Sequence, residues 1–337
     1  MKHQRNLATP YIKKDYMEIL NIGKNDAGQR LDKFLSKALP SLPQALMYKA
    51  IRTKKIKLNR KRCEGSDVLS VGDTIQLFLA PEFLGKSGAD ESFRRLVPRL
   101  RIIFEDANVI ICDKAEGMIC HSDEKETGNT LIDHIKAHLF RSGEYKPDAE
   151  QSFAPALCNR IDRNTGGIVI AAKTAEALRE INLAIKEGRV HKRYLCAVKG
   201  VPSPASAVLR GWLVKDSAKN EVRVFANNPN IPAAREIITA YDVVGRTGNL
   251  ALLEVDLLTG RTHQIRAHMA FIGHPLLGDG KYGVNQAERA MGYDSQALYS
   301  YKAGFEFPEG SPLGYLSGIV FEVPRENIGF LKEFTVK

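Results

Sequence analysis

Residues 159–174, NRIDRNTGGIVIAAKT, join a charged loop directly to an apolar run, and this junction decides how the surrounding chain folds. The run at residues 166–173 has the length and the branched aliphatic side chains of a buried strand. Thr174 follows as a helix N-cap. Apolar residues then recur at helical spacing until Gly188, which predicts the end of the helix.

Other apolar runs of strand length lie on both sides of this stretch. Residues 102–104 and 109–112 precede it, and four more runs follow: RYLCAVKG, EVRVFA, EIITAYDVV and LALLEVDLL. Most of them are joined by turns with few helices between, which is the pattern of an α+β protein. We therefore predict that residues 100–337 form a large domain with a mixed or antiparallel sheet and flanking helices.

Composition restricts the kind of protein. The chain has 337 residues, of which 44% are apolar and 26% charged, enough for two or three globular domains. It contains neither the roughly 18 consecutive apolar residues of a membrane span nor the apolar core of a secretory signal. The five cysteines form no CxxC pair. We expect a cytoplasmic protein with reduced thiols, without a disulfide framework or a zinc site.

Positive charge is concentrated in the N-terminal part. Residues 1–80 contain 16 Lys and Arg against 7 Asp and Glu, so they carry +9 of the net +10. A face of solvated lysines could explain this bias, but the density of IRTKKIKLNRKR, residues 51–62, favours nucleic acid as a partner. The candidate RNA-binding residues of this part are Lys54, Lys55, Lys57, Arg60, Lys61 and Arg62.

Residues 17–80 have the pattern of a small α+β domain. Apolar spacing predicts a helix over residues 29–39 and a second helix that begins at the N-cap Ser41. Strands are predicted at residues 55–58 and 74–79. With its RLDKFL, its second helix and its basic KIKLN strand, the segment resembles the small RNA-binding domain named after a ribosomal small-subunit protein.

Two segments lie outside these domains. Residues 1–16 form an N-terminal extension. Residues 81–99, PEFLGKSGADESFRRLVPR, combine Pro, Gly, Ser and mixed charge without periodicity, which predicts a linker.

Asp162 is the candidate catalytic residue of the opening stretch. A carboxylate between Arg160 and Arg163 is commonly half of a surface ion pair, which contributes about 0–1 kcal/mol. Here it lies in a loop directly ahead of a buried strand, where a rigid scaffold can aim a side chain. Gly166 and Gly167 would also let a bulky substrate approach the backbone. Opposite charges favour the anionic carboxylate, which could then act as a nucleophile or a base.

A second group of polar residues lies in LLTGRTHQIRAHMAFIGHPLLGDGKYG, residues 257–283. Apolar spacing predicts a helix over residues 263–272, with Arg266 off the apolar stripe and able to reach a carboxylate. The stretch contains three histidines, His263, His268 and His274. Their spacings of five and six residues do not match the helical zinc pair, which is four residues apart. We expect these histidines to pack or hydrogen-bond, without a metal.

Taken together, NRIDRNTGGIVIAAKT, HKRYLCAVKG and LTGRTHQIRAHMAFIGHPLLGDGKYG resemble three ordered motifs of the ribosomal large-subunit pseudouridine synthase family. FEDANVIICDKAEGMICH resembles the opening motif of that family. The resemblance covers residues 102–324, and the basic domain in front is a usual attachment. It implies an enzyme that isomerises uridines of large-subunit ribosomal RNA, with transfer RNA as the alternative substrate. We expect the protein to be a monomer. An isomerisation with no net redox change or hydrolysis implies no cofactor or metal.

The resemblance also implies the site residues. Asp162 matches the catalytic aspartate, which attacks or deprotonates the target uridine so that uracil detaches, rotates and rejoins through carbon five. Tyr194 matches the tyrosine that packs on the target base and is implicated in removing the carbon-five proton; an ordinary half-buried strand tyrosine is the alternative. Arg266 matches the arginine that pairs with the aspartate. Arg160 matches the side chain that enters the RNA helix in place of the flipped uridine.

Four positions depart from the common form of the family. They are Asn159 in place of His, Ala115 in place of Pro, Gly166 in place of Ser and Tyr299 in place of His. None is a proposed catalytic position, so they bear on the subfamily and the target nucleotide more than on the activity.

Two other functions stay open at this point. One is an RNA-binding protein that keeps the fold without activity, for which an asparagine or alanine at position 162 would have been expected. The other is a hydrolase with Asp162 as nucleophile. It would need a second, water-activating acid, and we assign none in these motifs.

Overall fold

A computed structural model describes the chain at residues 16–84, 91–123, 128–216, 221–284, 286, 289 and 292–334. The chain divides into two compact units. Unit 1 contains Met1–Glu91 and Gly143–Ala154, and unit 2 contains Ser92–Ser142 and Pro155–Lys337. The chain therefore enters unit 2 at Ser92, leaves it for a short segment, and enters it again at Pro155.

Unit 1 is built on a small antiparallel sheet. Strand β1 (Tyr16–Asn21) pairs with β3 (Thr74–Leu79), and β3 pairs with β2 (Ile56–Leu58). Two helices complete it, α1 (Leu31–Ala38) and α2 (Gln44–Arg52). The small α+β architecture predicted for this segment is confirmed.

The core of unit 1 follows from two periodicities. In α1 the side chains of Leu31, Phe34 and Leu35 are fully buried, as expected for residues three and four apart on one helix face. In β3, Ile75 and Leu77 are buried on one face of the strand. Both sets belong to the same apolar cluster.

The predicted start of α2 is wrong by two residues. Ser41 is not its N-cap; the helix begins at Gln44, and Pro43 precedes it with a φ of −59°. The proline ring holds this dihedral angle close to the helical value, and proline has no N–H group that would need a partner. Proline thus fixes the helix start where the sequence pattern favoured a serine side chain.

Unit 2 contains a sheet of eleven strands. The strands are β4 (Ile102–Glu105), β5 (Val109–Lys114), β6 (Ala156–Leu157), β7 (Gly166–Ala172), β8 (Val190–Lys199), β9 (Ser206–Asp216), β10 (Glu221–Phe225), β11 (Arg235–Thr247), β12 (Leu250–Leu257), β13 (Leu298–Phe305) and β14 (Val320–Glu322). Their order is β10-β9-β11-β12-β8-β13-β7-β5-β4, with β14 beside β13 and β6 beside β7. β13 and β7 run parallel, and the other strand pairs within the described residues are antiparallel. The predicted mixed sheet is confirmed.

Helices α3 (Leu131–Arg141), α4 (Ala175–Lys186) and α5 (Gln264–Phe271) accompany this sheet. The hydroxyl of Thr174 accepts a hydrogen bond from the N–H of Ala177, so it caps α4 as predicted. α5 lies where the apolar spacing predicted a helix. In the part of the chain that the structure describes, no helix has the length and apolar character needed to span a membrane.

The segment 81–99, predicted to be a linker, is shared between the units. Its residues from Ser92 onward belong to unit 2. Phe93 is 3% exposed, and its ring lies edge-on to Phe140 of α3 with 6.0 Å between the centroids. A single aromatic residue among charged neighbours gives no periodic pattern, so the sequence did not indicate this packing. Residues 92–99 are part of the folded unit.

Gly166 and Gly167 make room for a neighbouring strand. They pair with Tyr299 and Ser300 of β13. A Cβ at Gly166 would lie 2.3 Å from Cε2 of Tyr299, and a Cβ at Gly167, where φ is +113°, would lie 2.0 Å from the carbonyl oxygen of Ser300. The prediction that these glycines clear an approach for substrate is therefore wrong, because β13 fills the space.

The same contact explains two departures from the common form of the family. Tyr299 is 1% exposed, and its hydroxyl donates to Oδ1 of Asp113 at 2.6 Å, which fixes the ring against Gly166. A serine at position 166 would collide with this ring. Gly166 and Tyr299 are thus a sterically matched pair.

We expect Gly166→Ser to lower the free energy of unfolding by about 1–3 kcal/mol, because the added side chain overpacks the ring of Tyr299. Urea denaturation measures the loss. Adding Tyr299→His to the same chain should recover part of it, with Tyr299→His alone as the third corner of the cycle. Strictly additive effects would show that the two positions are not matched.

Candidate active site

Asp162 lies at a cavity of about 310 Å³ in unit 2. The walls come from the loop at residues 158–165, from β8, and from residues 257–266, which include the start of α5. The sheet aligns these segments, because the loop runs directly into β7, and β13 lies between β7 and β8 in the sheet. Four predicted site residues line this one cavity: Arg160, Asp162, Tyr194 and Arg266.

Arg266 connects two carboxylates. Its Nη1 donates to Oδ2 of Asp162 at 3.0 Å, while its Nε and Nη2 donate to Asp279 at 2.7 and 2.8 Å. The bidentate bond to Asp279 fixes the plane of the guanidinium, and this directs Nη1 toward Asp162. The side chain of Asp162 is 28% exposed, against 9% for Arg266 and 0% for Asp279. Asp162, the more exposed of the two carboxylates, is therefore held in place by a buried guanidinium.

Asp279 is a second acid in the site, and the sequence motifs did not indicate it. The backbone N–H groups of Lys281 and Tyr282 donate to its Oδ1 at 2.9 and 3.2 Å. Burial acts to raise the pKa of Asp279, but the hydrogen bonds and charge of Arg266, together with these N–H groups, lower it below its ordinary value. Burial likewise acts to lower the pKa of Arg266, and Asp279 and Asp162 raise it above its ordinary value. Asp279 and Arg266 are both charged at neutral pH, and Asp279 holds the guanidinium of Arg266 in place.

Tyr194 lies on β8 and is 6% exposed. Burial raises its pKa to about 12, and the charge of Asp162 acts in the same direction. The phenol is therefore protonated at neutral pH. It gives the cavity a neutral aromatic ring next to the Asp162 loop.

The arginines that flank Asp162 in the sequence have other positions. The side chain of Arg163 donates to Asp123 at 3.2 Å. Arg160 is exposed and lines the cavity. The guanidinium that contacts Asp162 comes from Arg266, 104 residues further along the chain.

Lys114 holds the loop that carries Asp162. It is 1% exposed, and its Nζ donates to the carbonyl oxygens of Ala115, Met118 and Arg163 at 3.0, 2.7 and 2.9 Å. Burial lowers its pKa to about 8, against the opposing effect of nearby charges that include Asp162. Three carbonyl dipoles thus bind this cation, which ties the end of β5 to the loop that carries Asp162.

The three histidines of residues 257–283 hydrogen-bond, as predicted. Through Nδ1, His263 bonds to the Tyr282 hydroxyl, His268 to the Thr239 hydroxyl and His274 to the Lys199 carbonyl, at 2.8, 3.0 and 2.9 Å. His263 also places Nε2 3.7 Å from Oδ2 of Asp162. Burial lowers its pKa, so it stands beside the carboxylate as a neutral ring at pH 7. Within the described residues, no group of three or more His, Cys, Asp or Glu could hold a metal ion.

The six basic residues predicted to bind RNA belong to unit 1. They lie between the end of α2 and the turn after β2, where Asn59 and Arg60 have φ values of 51° and 64°. Five are exposed: Lys54, Lys55, Arg60, Lys61 and Arg62. Lys57 is partly buried, with Nζ 5.3 Å from the centroid of the Phe78 ring. Unit 1 therefore presents a cluster of cations to solvent.

Three polar residues of the site were missed at the sequence level. Asp279 lies in the quoted GDG turn, and Lys114 is the last residue of β5. Lys192 lines the cavity two residues before Tyr194, on the same face of β8. Each of these residues lies in or next to a quoted motif, but single charged residues are common there and do not by themselves indicate a site.

The matches to known proteins agree with this arrangement. Residues 108–271 match the RNA pseudouridylate synthase family, and residues 29–75 match the S4 domain. An uncharacterized RNA pseudouridine synthase of Mycoplasma genitalium is 32% identical over 88% of this chain and 91% of its own length. The ribosomal large subunit pseudouridine synthase C of Buchnera aphidicola is 31% identical over 80% and 82%.

A solved structure shows the same fold. Human RNA pseudouridylate synthase domain containing 4 superposes with a TM-score of 0.54 at 20% identity, covering 70% of this chain and 94% of that one. Fold and relatives together define an RNA-modifying isomerase. The chain belongs to the RNA pseudouridine synthase family, with an S4 domain in its N-terminal part, and the resemblance stated from the motifs is confirmed.

We expect Arg266→Ala to abolish turnover and to destabilise the protein by about 3–5 kcal/mol, because buried Asp279 loses its charged partner. Arg266→Lys should recover only part of either loss, since an ammonium cannot reproduce the bidentate bond. Denaturation curves and pseudouridine formation measure the two effects. A folded Arg266→Ala protein with full activity would remove this guanidinium from the function of the site.

Proposed function

We propose that this protein converts specific uridines of large-subunit ribosomal RNA to pseudouridine. The observation that carries the proposal is the carboxylate of Asp162, which faces the cavity while Arg266 holds it at 3.0 Å. Relatives named for the large ribosomal subunit favour this RNA over the alternative, transfer RNA.

The proposed reaction moves uracil on its own ribose. Asp162 forms a bond to the target nucleotide or takes a proton from it, and the bond between N1 and C1′ breaks with its electrons going to N1. Uracil rotates within the cavity and C5 bonds to C1′, while the bond to Asp162 breaks again or the proton that Asp162 took returns to the nucleotide. C5 then loses its proton and N1 gains one. No atom is added or lost overall, so the reaction needs no water, oxidant or cofactor.

The target base must leave its stack before this chemistry can begin. Arg160 is exposed at the cavity, where a planar cation can fill the gap that the base leaves in the RNA helix. Tyr194 provides a ring on which the extruded base can stack. With a pKa raised to about 12 by burial, its phenol is a poor base at neutral pH, which favours stacking over removal of the carbon-five proton.

Hydrolysis of the same bond is the second reaction that Asp162 could support. It would require a base that activates water. Asp279 is close enough to share Arg266, but its side chain is 0% exposed and its oxygens accept bonds from Arg266 and two backbone N–H groups. This engagement favours isomerisation. Incubation with RNA should release no free uracil.

We expect Asp162→Asn to abolish pseudouridine formation on transcribed ribosomal RNA and to leave RNA binding nearly intact. The amide keeps the shape of the side chain but cannot act as nucleophile or base. Its loss of charge leaves Arg266 bound to Asp279, so the fold should persist. Turnover close to that of the wild-type protein would contradict the assignment of Asp162.

Unit 1 is proposed to supply affinity and substrate context. Its exposed cations are suited to phosphates, and phosphate contacts position a protein without reading sequence. The chain also places residues 143–154 in unit 1, where Gln29 donates to the hydroxyl of Ser152 at 2.9 Å. Truncation ahead of Ser92 therefore leaves this segment without its packing partners.

In a chain that begins at Ser92, unit 2 should fold, because Phe93 is retained, while residues 143–154 lose their packing partners. This chain should still modify a short stem-loop at high concentration. On long ribosomal RNA it should bind more weakly, with an affinity that falls less steeply with salt, since each lost phosphate contact removes roughly one unit of the log–log slope. Binding of both chains across a salt series measures this. Equal slopes would show that the basic residues face something other than RNA.

We further propose that the protein works as a cytoplasmic monomer. The proposed location is supported by the five cysteines, which are all free thiols in the structure, as is typical of a reducing compartment.

A further inference from the structure

Lys192 is a cation of the cavity for which the proposed reaction has no use. It lies two residues before Tyr194 on β8, and side chains two apart on a strand point to the same face. The alternation is visible in the walls: Lys192 and Tyr194 line the Asp162 cavity, whereas His191 and Arg193 line a separate cavity on the other side. The ammonium of Lys192 is therefore directed to where the target nucleotide is expected.

Other buried cations of unit 2 have partners, and Lys192 differs from them. Arg266 bonds to two carboxylates, Lys114 donates to three carbonyl oxygens, and Lys173 pairs with Glu105 at 2.9 Å. For the side chain of Lys192, the described part of the chain provides no ion pair or hydrogen bond. Burial alone lowers its pKa, without a nearby carboxylate to oppose the effect.

The side chains that line the cavity carry an excess of positive charge. Among the described residues that line it, Asp162 is the single acid, and Arg266 already neutralises that acid. Arg160, Lys192 and Arg261 remain. Lys192 lies against the loop that carries Arg261, because a Cβ at Gly260 would be 3.8 Å from its Nζ. Because residue 260 is a glycine, no side chain from this position lies beside the ammonium.

We infer that Lys192 binds a non-bridging phosphate oxygen next to the extruded uridine, so that the cavity contains a phosphodiester subsite beside the base subsite. This inference rests on the proposed function. Uracil and ribose are neutral, and phosphate is the one anionic group of RNA, so it is the group that an unpaired, partly desolvated ammonium complements. Binding there anchors the backbone on the Lys192 side while the base turns above Asp162.

The subsite predicts a coupling between one lysine and one phosphate. The probe is a stem-loop that contains a mapped target uridine, with the phosphate on its 5′ or 3′ side replaced by a neutral methylphosphonate. Full-length wild-type protein, Lys192→Met and Lys192→Arg are compared for RNA affinity by fluorescence anisotropy and for KM and kcat by pseudouridine formation. Arg193→Met is the matched control, because Arg193 is the next residue, lies on the opposite face of β8 and pairs with Glu254.

On unmodified RNA, Lys192→Met should weaken binding and raise KM about 10- to 100-fold, the usual effect of losing a hydrogen bond to a charged group. Lys192→Arg should recover most of this loss. One of the two methylphosphonates should weaken RNA binding by wild-type and Arg193→Met protein to a similar degree. The same methylphosphonate should weaken RNA binding by Lys192→Met protein little further. Thermal melting of each variant reports whether it is folded.

Equal methylphosphonate penalties in wild-type and Lys192→Met protein, at both positions, would overturn the subsite. So would a loss confined to kcat, which would place the lysine at the base. Pseudouridine formation by wild-type protein on unmodified RNA tests the proposed function separately. The anisotropy measurements test the phosphate contact even if no turnover occurs.

Discussion

The site depends on one guanidinium that is shared between two carboxylates in unlike surroundings. Asp279 is buried and binds Arg266 through both oxygens, so the guanidinium has a fixed plane before any substrate arrives. The remaining N–H group then defines where the more exposed carboxylate of Asp162 must lie. Electrostatic preorganisation of this kind orients the carboxylate of Asp162 before any ligand enters the cavity.

Strands with branched aliphatic runs could be predicted from the sequence, because burial on both faces leaves an unbroken apolar pattern. β7 and β5 are of this type. β9 was missed although six of its eleven residues are apolar, because Arg210 and Gly211 divide them into two runs of three. Phe93 was missed for a related reason: its single aromatic contact with α3 is a tertiary feature.

The candidate site shows the same limit. Asp162, Tyr194 and Arg266 were named from motifs, and their shared cavity agrees with that choice. The motifs could not show which residues from distant parts of the chain contact these side chains. The sequence offered Arg160 and Arg163 as neighbours of the carboxylate, whereas folding brings in Arg266. Two glycines were likewise assigned to the substrate because β13, their true neighbour, is far away in the sequence.

The contact between Gly166 and the Tyr299 ring restricts the evolutionary route to this sequence from a form with serine and histidine at these positions. A ring introduced first would meet a serine side chain inside the space it needs, since even a Cβ there lies 2.3 Å away. A glycine introduced first leaves only a small void, which packed interiors tolerate better than overlap. Selection therefore favours the order glycine before tyrosine. Once the ring is in place, a change to serine at position 166 alone carries the cost of overpacking, which a paired change at position 299 would relieve.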